Sequence, residues 1–474
     1  LFAGAGAEIE TNRKKLTEFR DYNVSITEYK MPYTVDIFTS WPTTFASWDA
    51  LRTWLSSEEG GSLRVIEPKE SPFALIRYVK GKSNFALPHV AWCRSVVVEK
   101  EKRLPVAVSP PKASELTESS SSEATIAEEL VDGTMINLFT DNSTDSEVYL
   151  ATRSRLNADT KFYEGGSSFA DMLQDALQVS GVMNRKDLLA CYSNSTACFT
   201  SIVLQHPNNR IVQTIAAPSF TIIHQGFVDA TGLVTIEETP SKFMWTCLLG
   251  PGVTESARTT TADVVSCTAA AYSLEQIRAT KTVATWVSDY AQKHGFSWQG
   301  LVLKDGNGRR WRVRSQVYET VRQIRGNESS MEERFARLRK SRSVDQYLAF
   351  FPEDREILYE LEGRFRKNTK QLFQFYTDVF RTRKTVYYTL PWPYKHHVSV
   401  LHNIFKDLLK AVGKKVDLEE VIRYTNGLSL EDTANMTKLH KLELRVATEV
   451  QTNVAVVTDT TDYSDMPPLV QITT

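Results

Sequence analysis

The feature that most limits the fold of this chain is a change in the spacing of its apolar residues near Trp311. Upstream, runs such as Met135 to Phe139, Val148 to Ser154, Phe199 to Gln205 and Gly226 to Ile236 are short and rich in β-branched and aromatic residues, and turn residues separate them. Such runs read as antiparallel strands. Two stretches inside this region, Ser47 to Leu55 and Phe169 to Val179, instead read as helices. From Gln316 to about Val450 helical spacing takes over, in segments such as 334–351 and 370–383, with breaks at Pro352 and at Pro391 and Pro393. The pattern predicts an α+β fold with antiparallel sheets, followed by an all-helical C-terminal domain. The expected segments are an N-terminal piece (1–32), an α+β domain (33–318), a helical domain (319–450) and a polar tail (451–474). The Ser/Glu/Thr-rich stretch 113–127 is expected to be a mobile loop between two strands.

Several function classes drop out on charge and patterning. No window approaches the roughly 18 to 20 consecutive apolar residues that a membrane helix needs. The formal net charge of -1 gives no global argument for nucleic-acid binding, so a basic excess has to be local. One exists between Leu301 and Val400, where 21 Lys and Arg face 12 Asp and Glu. Its densest part, Arg334, Arg337, Arg339, Lys340 and Arg342, reads as a solvated helix face balanced by Glu332, Glu333 and Asp345. Five cysteines without CxxC spacing indicate neither a zinc site nor a complete disulfide framework, which points to a reducing compartment. His396, His397 and His402 read as surface or domain-contact residues, because no Cys or carboxylate falls at ligand spacing. No metal site is expected. The chain begins at Leu1 without a charged-then-apolar leader, so both a processed start and a piece of a longer product stay open.

The chemistry-bearing residues come in an ordered series. Arg94 follows Trp92-Cys93, and Lys112 closes the run that starts at Pro105; alone they read as surface charge on a hairpin. Asp132-Gly133, within Glu128 to Phe139, alone reads as a hairpin turn. Then follow Arg153 in Thr152 to Arg155, Arg210 in Pro207-Asn208-Asn209-Arg210-Ile211-Val212, Lys304 in Gln299 to Lys304, and Arg312 and Arg314 in Trp311 to Ser315. Lys304-Asp305-Gly306-Asn307-Gly308 is a hairpin turn rather than a phosphate loop, since GxxxxGK[ST] spacing and a following helix are both missing.

From about Ala91 to Tyr318 this ordered set resembles the covalent nucleotidyltransferases, and within them the phage-type ATP-dependent RNA ligases that repair cleaved tRNA. The resemblance implies an ATP-grasp-like nucleotidyltransferase core, with antiparallel sheets around a nucleotide-sized cleft. Its helical domain is similar in placement to the RNA-specificity domain of the phage ligases. Similar Val131-Asp132-Gly133-Thr134-Met135-Ile136-Asn137 blocks in large DNA viruses make a viral source the leading expectation.

In a working ligase a lysine amine attacks the α-phosphate of ATP, two carboxylates position the metal, and a closing pair of lysines neutralises phosphate. This sequence departs at nearly every one of these points. Leu130 stands at the lysine position, Val203 and Gln299 stand where carboxylates are expected, and Arg312 and Arg314 replace the closing lysines. Arginine keeps the charge as a planar fork suited to holding phosphate. No catalytic residue is therefore expected. Arg94, Lys112, Asp132, Gly133, Arg153, Arg210, Lys304, Arg312 and Arg314 would still ring the cleft as phosphate-binding groups.

The expectation is a degenerate ligase, in the cytoplasm or a virus particle, that binds RNA or DNA or other, viral, proteins and requires no cofactor. An active ligase with a relocated lysine, using ATP and Mg, is the alternative. A structural protein without ligand is the third reading.

Overall fold

A computed structural model describes residues 32–141, 147–159, 161, 166–182, 184–189, 191, 192, 194–237 and 268–439. The expected N-terminal piece, apart from residue 32, and the polar tail lie outside them. The chain divides into two compact units, Leu1–Arg325 and Gly326–Thr474.

Three sheets build the first unit. Strands β1 (Tyr33–Val35), β2 (Arg64–Ile66), β3 (Phe73–Arg77), β4 (Val96–Glu99), β5 (Leu104–Val108), β6 (Ser114–Glu115), β7 (Ile126–Glu129) and β8 (Thr134–Thr140) come first in the chain. Then follow β9 (Tyr149–Thr152), β10 (Ala197–Gln205), β11 (Ser219–Val228), β12 (Val234–Glu237), β13 (Ala271–Tyr272), β14 (Gly300–Lys304) and β15 (Arg310–Arg314). A six-stranded sheet runs β1-β12-β11-β10-β8-β9, a five-stranded sheet β13-β7-β14-β15-β6 and a four-stranded sheet β2-β3-β4-β5. Every pairing is antiparallel except β15 with β6. The α+β class with antiparallel sheets is therefore as the sequence predicts.

Strand alternation decides which face each sheet buries. One face of the six-stranded sheet packs Phe139 and Phe199 against Phe73, Val97 and Ala107 of the four-stranded sheet. Between these sheets sits a satisfied polar network. Asn137 donates to Ser109 Oγ (2.8 Å) and accepts from Ser201 Oγ (2.8 Å), and Ser109 donates to the Ser95 carbonyl (2.8 Å). The opposite face packs Ile136, Leu138, Ile202 and Leu204 against helix α1 (Phe169–Val179).

Helix α1 forms where the sequence predicts it. Phe169, Met172, Leu173, Ala176 and Leu177 share one buried stripe. Ser168 and Asp171 close a capping box, with Asp171 accepting from the Ser168 amide at 3.1 Å and its hydroxyl at 2.7 Å. These hydrogen bonds hold the Asp171 carboxyl below its ordinary value.

The five-stranded sheet turns Leu301, Leu303, Trp311 and Val313 onto helices α2 (Leu274–Thr280) and α3 (Val283–His294). Its other face carries the alternate residues of β14 and β15.

The stretch 113–127, expected as a mobile loop between two strands, carries regular elements. It contains β6, a helical turn over Glu118–Glu123 and the start of β7. A capping box joins Thr117 and Ser120, and the Arg278 guanidinium donates to the Ala124 carbonyl at 2.8 Å. Thr117 and Ser120 thus satisfy each other locally, while most other polar residues of the stretch remain exposed.

In the second unit, the described residues form helices α4 (Met331–Ser341), α5 (Val344–Leu348), α6 (Arg355–Phe380), α7 (Trp392–Ile404) and α8 (Leu418–Asn426), and 430–439 are also helical. The basic residues of α4 are only partly a solvated face, since Lys340 and the following Arg342 are exposed whereas the others are drawn inward. Arg334 is buried and donates to Tyr347 Oη at 3.0 Å, Arg337 pairs with Glu328, and Arg339 pairs with Glu362 at 3.0 Å. Lys340 donates to the Leu428 carbonyl at 3.3 Å. These partners are nearly all distant in sequence, unlike the neighbouring acids expected. Among the described residues, no helix is long and apolar enough to cross a membrane.

Candidate anion-binding site

Asp132 and Gly133 do not form a hairpin turn. They carry the chain from β7 in the five-stranded sheet to β8 in the six-stranded one. The buried Asp132 carboxylate is fully engaged in framing that crossing. Oδ2 accepts from the amides of Val212 (2.9 Å) and Gln213 (3.0 Å), and Oδ1 accepts from the Tyr318 hydroxyl (2.7 Å). Burial, then the Asp132 charge, push the Tyr318 hydroxyl well above the ordinary tyrosine value. Gly133 is needed for close approach, because a Cβ there would stand 2.4 Å from the Leu204 carbonyl oxygen.

The positions at which the resemblance led to the expectation of a lysine and carboxylates have structural tasks of their own. Leu130 donates its amide to the Gly300 carbonyl at 2.9 Å, continuing the sheet. With its amide nitrogen turned inward, the orientation its neighbours require, Gln299 donates to the carbonyls of Leu130 (3.1 Å) and Val131 (3.3 Å). A carboxylate could not donate to either. Val203 is buried on β10, and a Cβ at Gly133 would meet its side chain at 2.6 Å.

The cations gather where the three sheets meet. Arg94 precedes β4 of the four-stranded sheet, Arg153 follows β9 of the six-stranded one, and Arg310 and Arg312 lie on β15 of the third. Burial lowers the Arg94 guanidinium to about 10; nearby Tyr78 opposes this, and the Arg310, Arg153 and Arg312 charges add to it. Arg94 still carries its charge at neutral pH. Arg312 shares its charge with Glu115, Nε to Oε1 at 3.0 Å. Among the described residues, Arg94, Arg153 and Arg310 pair with no carboxylate. Arg310 is only 8% exposed, and its Nη1 is buried without a hydrogen-bond partner.

An aromatic wall lines the approach. The Arg153 guanidinium lies over the Tyr78 ring at 4.9 Å, Tyr78 packs edge-on against Phe85 at 5.1 Å, and the Lys112 ammonium lies over Phe85 at 3.6 Å. Three expected phosphate-binding residues, Arg94, Arg153 and Arg312, thus converge, and Lys112 stands at the end of their aromatic row. Arg314 adjoins Arg312 but pairs with Glu319 at 3.2 Å.

The other expected residues are occupied elsewhere. Asp132 and Gly133 are framework, and Arg210 donates Nε to the Val212 carbonyl at 3.1 Å. Lys304 is fully buried, with Nζ 2.6 Å from Glu128. Sequence reading missed Arg310, although stepping back two residues from Arg312 along a strand predicts the same face. Among the described residues no three His, Cys, Asp or Glu gather as they would around a metal. His397 meets the Tyr424 hydroxyl at 2.8 Å, and His402 stacks on Phe380 at 3.7 Å between centroids.

No protein-family model and no curated protein matches the chain. Solved structures do. An archaeal ATP-dependent RNA ligase, form 1, is similar at 11% identity and a TM-score of 0.29, covering 62% of this chain and 68% of that one. Its form 2 is similar at 12% identity and a TM-score of 0.27, over 59% and 60%. A Naegleria gruberi RNA ligase mutant with ATP and Mn is similar at 9% identity and a TM-score of 0.25, over 47% and 64%.

Proposed function

We propose that this protein is a catalytically degenerate relative of the ATP-dependent RNA ligases that binds phosphate, of a nucleotide or an RNA end, without becoming adenylylated. The observation that carries this reading is Arg310: a nearly buried guanidinium with an unpartnered N–H, held among Arg94, Arg153 and Arg312. A cluster of cations with so few carboxylates calls for an anion. The residue order from Arg94 to Arg314 supports the family, and Leu130 at the nucleophile position supports the loss of chemistry, since its side chain offers no lone pair.

A magnesium ion fits this site poorly, because Val203 and Gln299 supply no carboxylate at the two expected positions. Phosphate fits it well. Lys304 is a poor substitute nucleophile, because its ammonium is enclosed and paired with Glu128.

The test is binding of labelled ATP and of a 5′-phosphorylated RNA oligonucleotide, together with a denaturing assay for protein-bound AMP in the presence of magnesium. Salt-sensitive binding without adduct is expected, and Arg310→Met should weaken it about 10- to 100-fold through loss of a charge-assisted hydrogen bond. A stable adduct would overturn the proposal in favour of an active ligase with a relocated lysine. Unaltered affinity in Arg310→Met would refute the site.

A further inference from the structure

The second unit displays a surface that the phosphate site does not use. Among its described residues the two most exposed aromatic ones are Tyr388, at 81%, and Trp392, at 79%. Four residues apart, their Cα atoms lie within about 14 Å of each other even along an extended chain. Leaving such rings in water forgoes burial that cores ordinarily exploit.

The segment that carries them is rigid. Tyr387 donates its hydroxyl to the Lys395 carbonyl at 3.1 Å and packs edge-on against Tyr388 at 5.7 Å. Leu390 and Tyr394 anchor the segment in the interior, and Pro391 and Pro393 fix the backbone on both sides of Trp392. The backbone that presents the rings therefore has little ordering entropy left to lose on binding.

Positive charge flanks them along the chain. Between Val379 and Lys406 the chain has Arg381, Arg383, Lys384, Lys395 and Lys406 and not one Asp or Glu. Arg381, Arg383 and Lys384 are exposed, and among the described residues none of them pairs with a carboxylate. The nearest acid in the chain, Asp378, accepts from Gln374 Nε2 at 2.9 Å.

We infer that this surface binds single-stranded nucleic acid, with bases stacking on Tyr388 and Trp392 and the backbone tracking Arg381, Arg383 and Lys384. Interleaved aromatic and basic groups are what sequence-tolerant recognition of a flexible polyanion requires. A lipid surface fits less well. Insertion needs a broad apolar face, and within 381–396 the exposed residues besides the two rings are Arg381, Thr382, Arg383, Lys384, Val386, Thr389 and His396, one of them aliphatic. The inference stands on the second unit alone and does not depend on the phosphate site.

The experiment uses the full chain, a fluorescent oligouridylate too long to be read as a nucleotide, and fluorescence anisotropy at several salt concentrations. Trp392→Ala and Tyr388→Ala should each weaken binding about tenfold, with Trp392→Phe retaining most of it. Lys384→Glu should make the salt dependence shallower. Binding of labelled ATP should be unchanged in all four variants, and circular dichroism should match the wild type because the rings are exposed. The inference is overturned if the wild type ignores the oligouridylate, if Tyr388→Ala/Trp392→Ala binds it as tightly as wild type, or if phosphatidylserine vesicles are bound in its place.

Discussion

Replacing Tyr318 by Phe removes one oxygen and nothing else, and the structure allows its cost to be estimated. The hydroxyl is fully buried and donates at 2.7 Å to a carboxylate that is itself only 6% exposed. Hydrogen bonds to charged groups are worth about 1.5–3 kcal/mol, and the Phe ring leaves no cavity, so a loss of about 2 kcal/mol is expected. Asp132→Ala strands two buried donors, Tyr318 Oη and the Val212 amide, and the half-buried Gln213 amide, and should cost about 4 kcal/mol. Made in that background, Tyr318→Phe removes a hydroxyl that has already lost its acceptor, and should cost almost nothing. Urea unfolding followed by tryptophan fluorescence suits the first unit, because among the tryptophans only Trp392 lies beyond it. The double-mutant cycle should give a coupling of about 2 kcal/mol. Equal costs in the two backgrounds would refute the assignment of Asp132 as framework. The sign of the pH dependence follows from the raised Tyr318 hydroxyl. Its contribution is complete below the unfolded tyrosine value of about 10 and fades as pH rises above it, because the unfolded chain ionises first. The Phe variant should lack that part of the alkaline loss.

Lys304→Met should destabilise the first unit by about 3–5 kcal/mol, leaving Glu128 without its buried counter-charge, and Lys304→Met/Glu128→Leu should recover most of it in the same urea assay. Gln299→Glu should cost about 1–3 kcal/mol, since a carboxylate would face two carbonyl oxygens; a variant as stable as wild type would count against the inward amide. Ser168→Ala should lower stability by about 1 kcal/mol and leave ATP binding unchanged, which separates a cap from a site.

Local pattern made some of this legible and long-range pairing made the rest opaque. Helix α1 was readable because its apolar stripe and its Ser168–Asp171 box lie within a few residues of each other. The crossing at Asp132-Gly133 was not, since an Asp-Gly pair between strands has the same local signature whether the strands share a sheet or not. In the stretch 113–127 the elements rest on partners far along the chain: Arg278 donates to the Ala124 carbonyl and Arg309 pairs with Glu123. In α4, partners such as Glu362 and Tyr347 took the arginines that neighbouring acids were expected to hold. Arg94, Arg153 and Arg312, which the structure brings together, were named from motif order. Arg310 lay one strand step outside the motif, and the buried state that singles it out is a property of three sheets meeting.

The amide of Gln299 also bears on which exchanges this position can accept. While an amide ties down the Leu130 and Val131 carbonyls, a carboxylate there would repel both, so a single exchange for glutamate meets a loss of stability whatever else it adds. Under the ligase-relative reading proposed above, an acid at this position would have to follow a second change that takes over those two carbonyls, so that packing constrains the order of substitutions and not only their number.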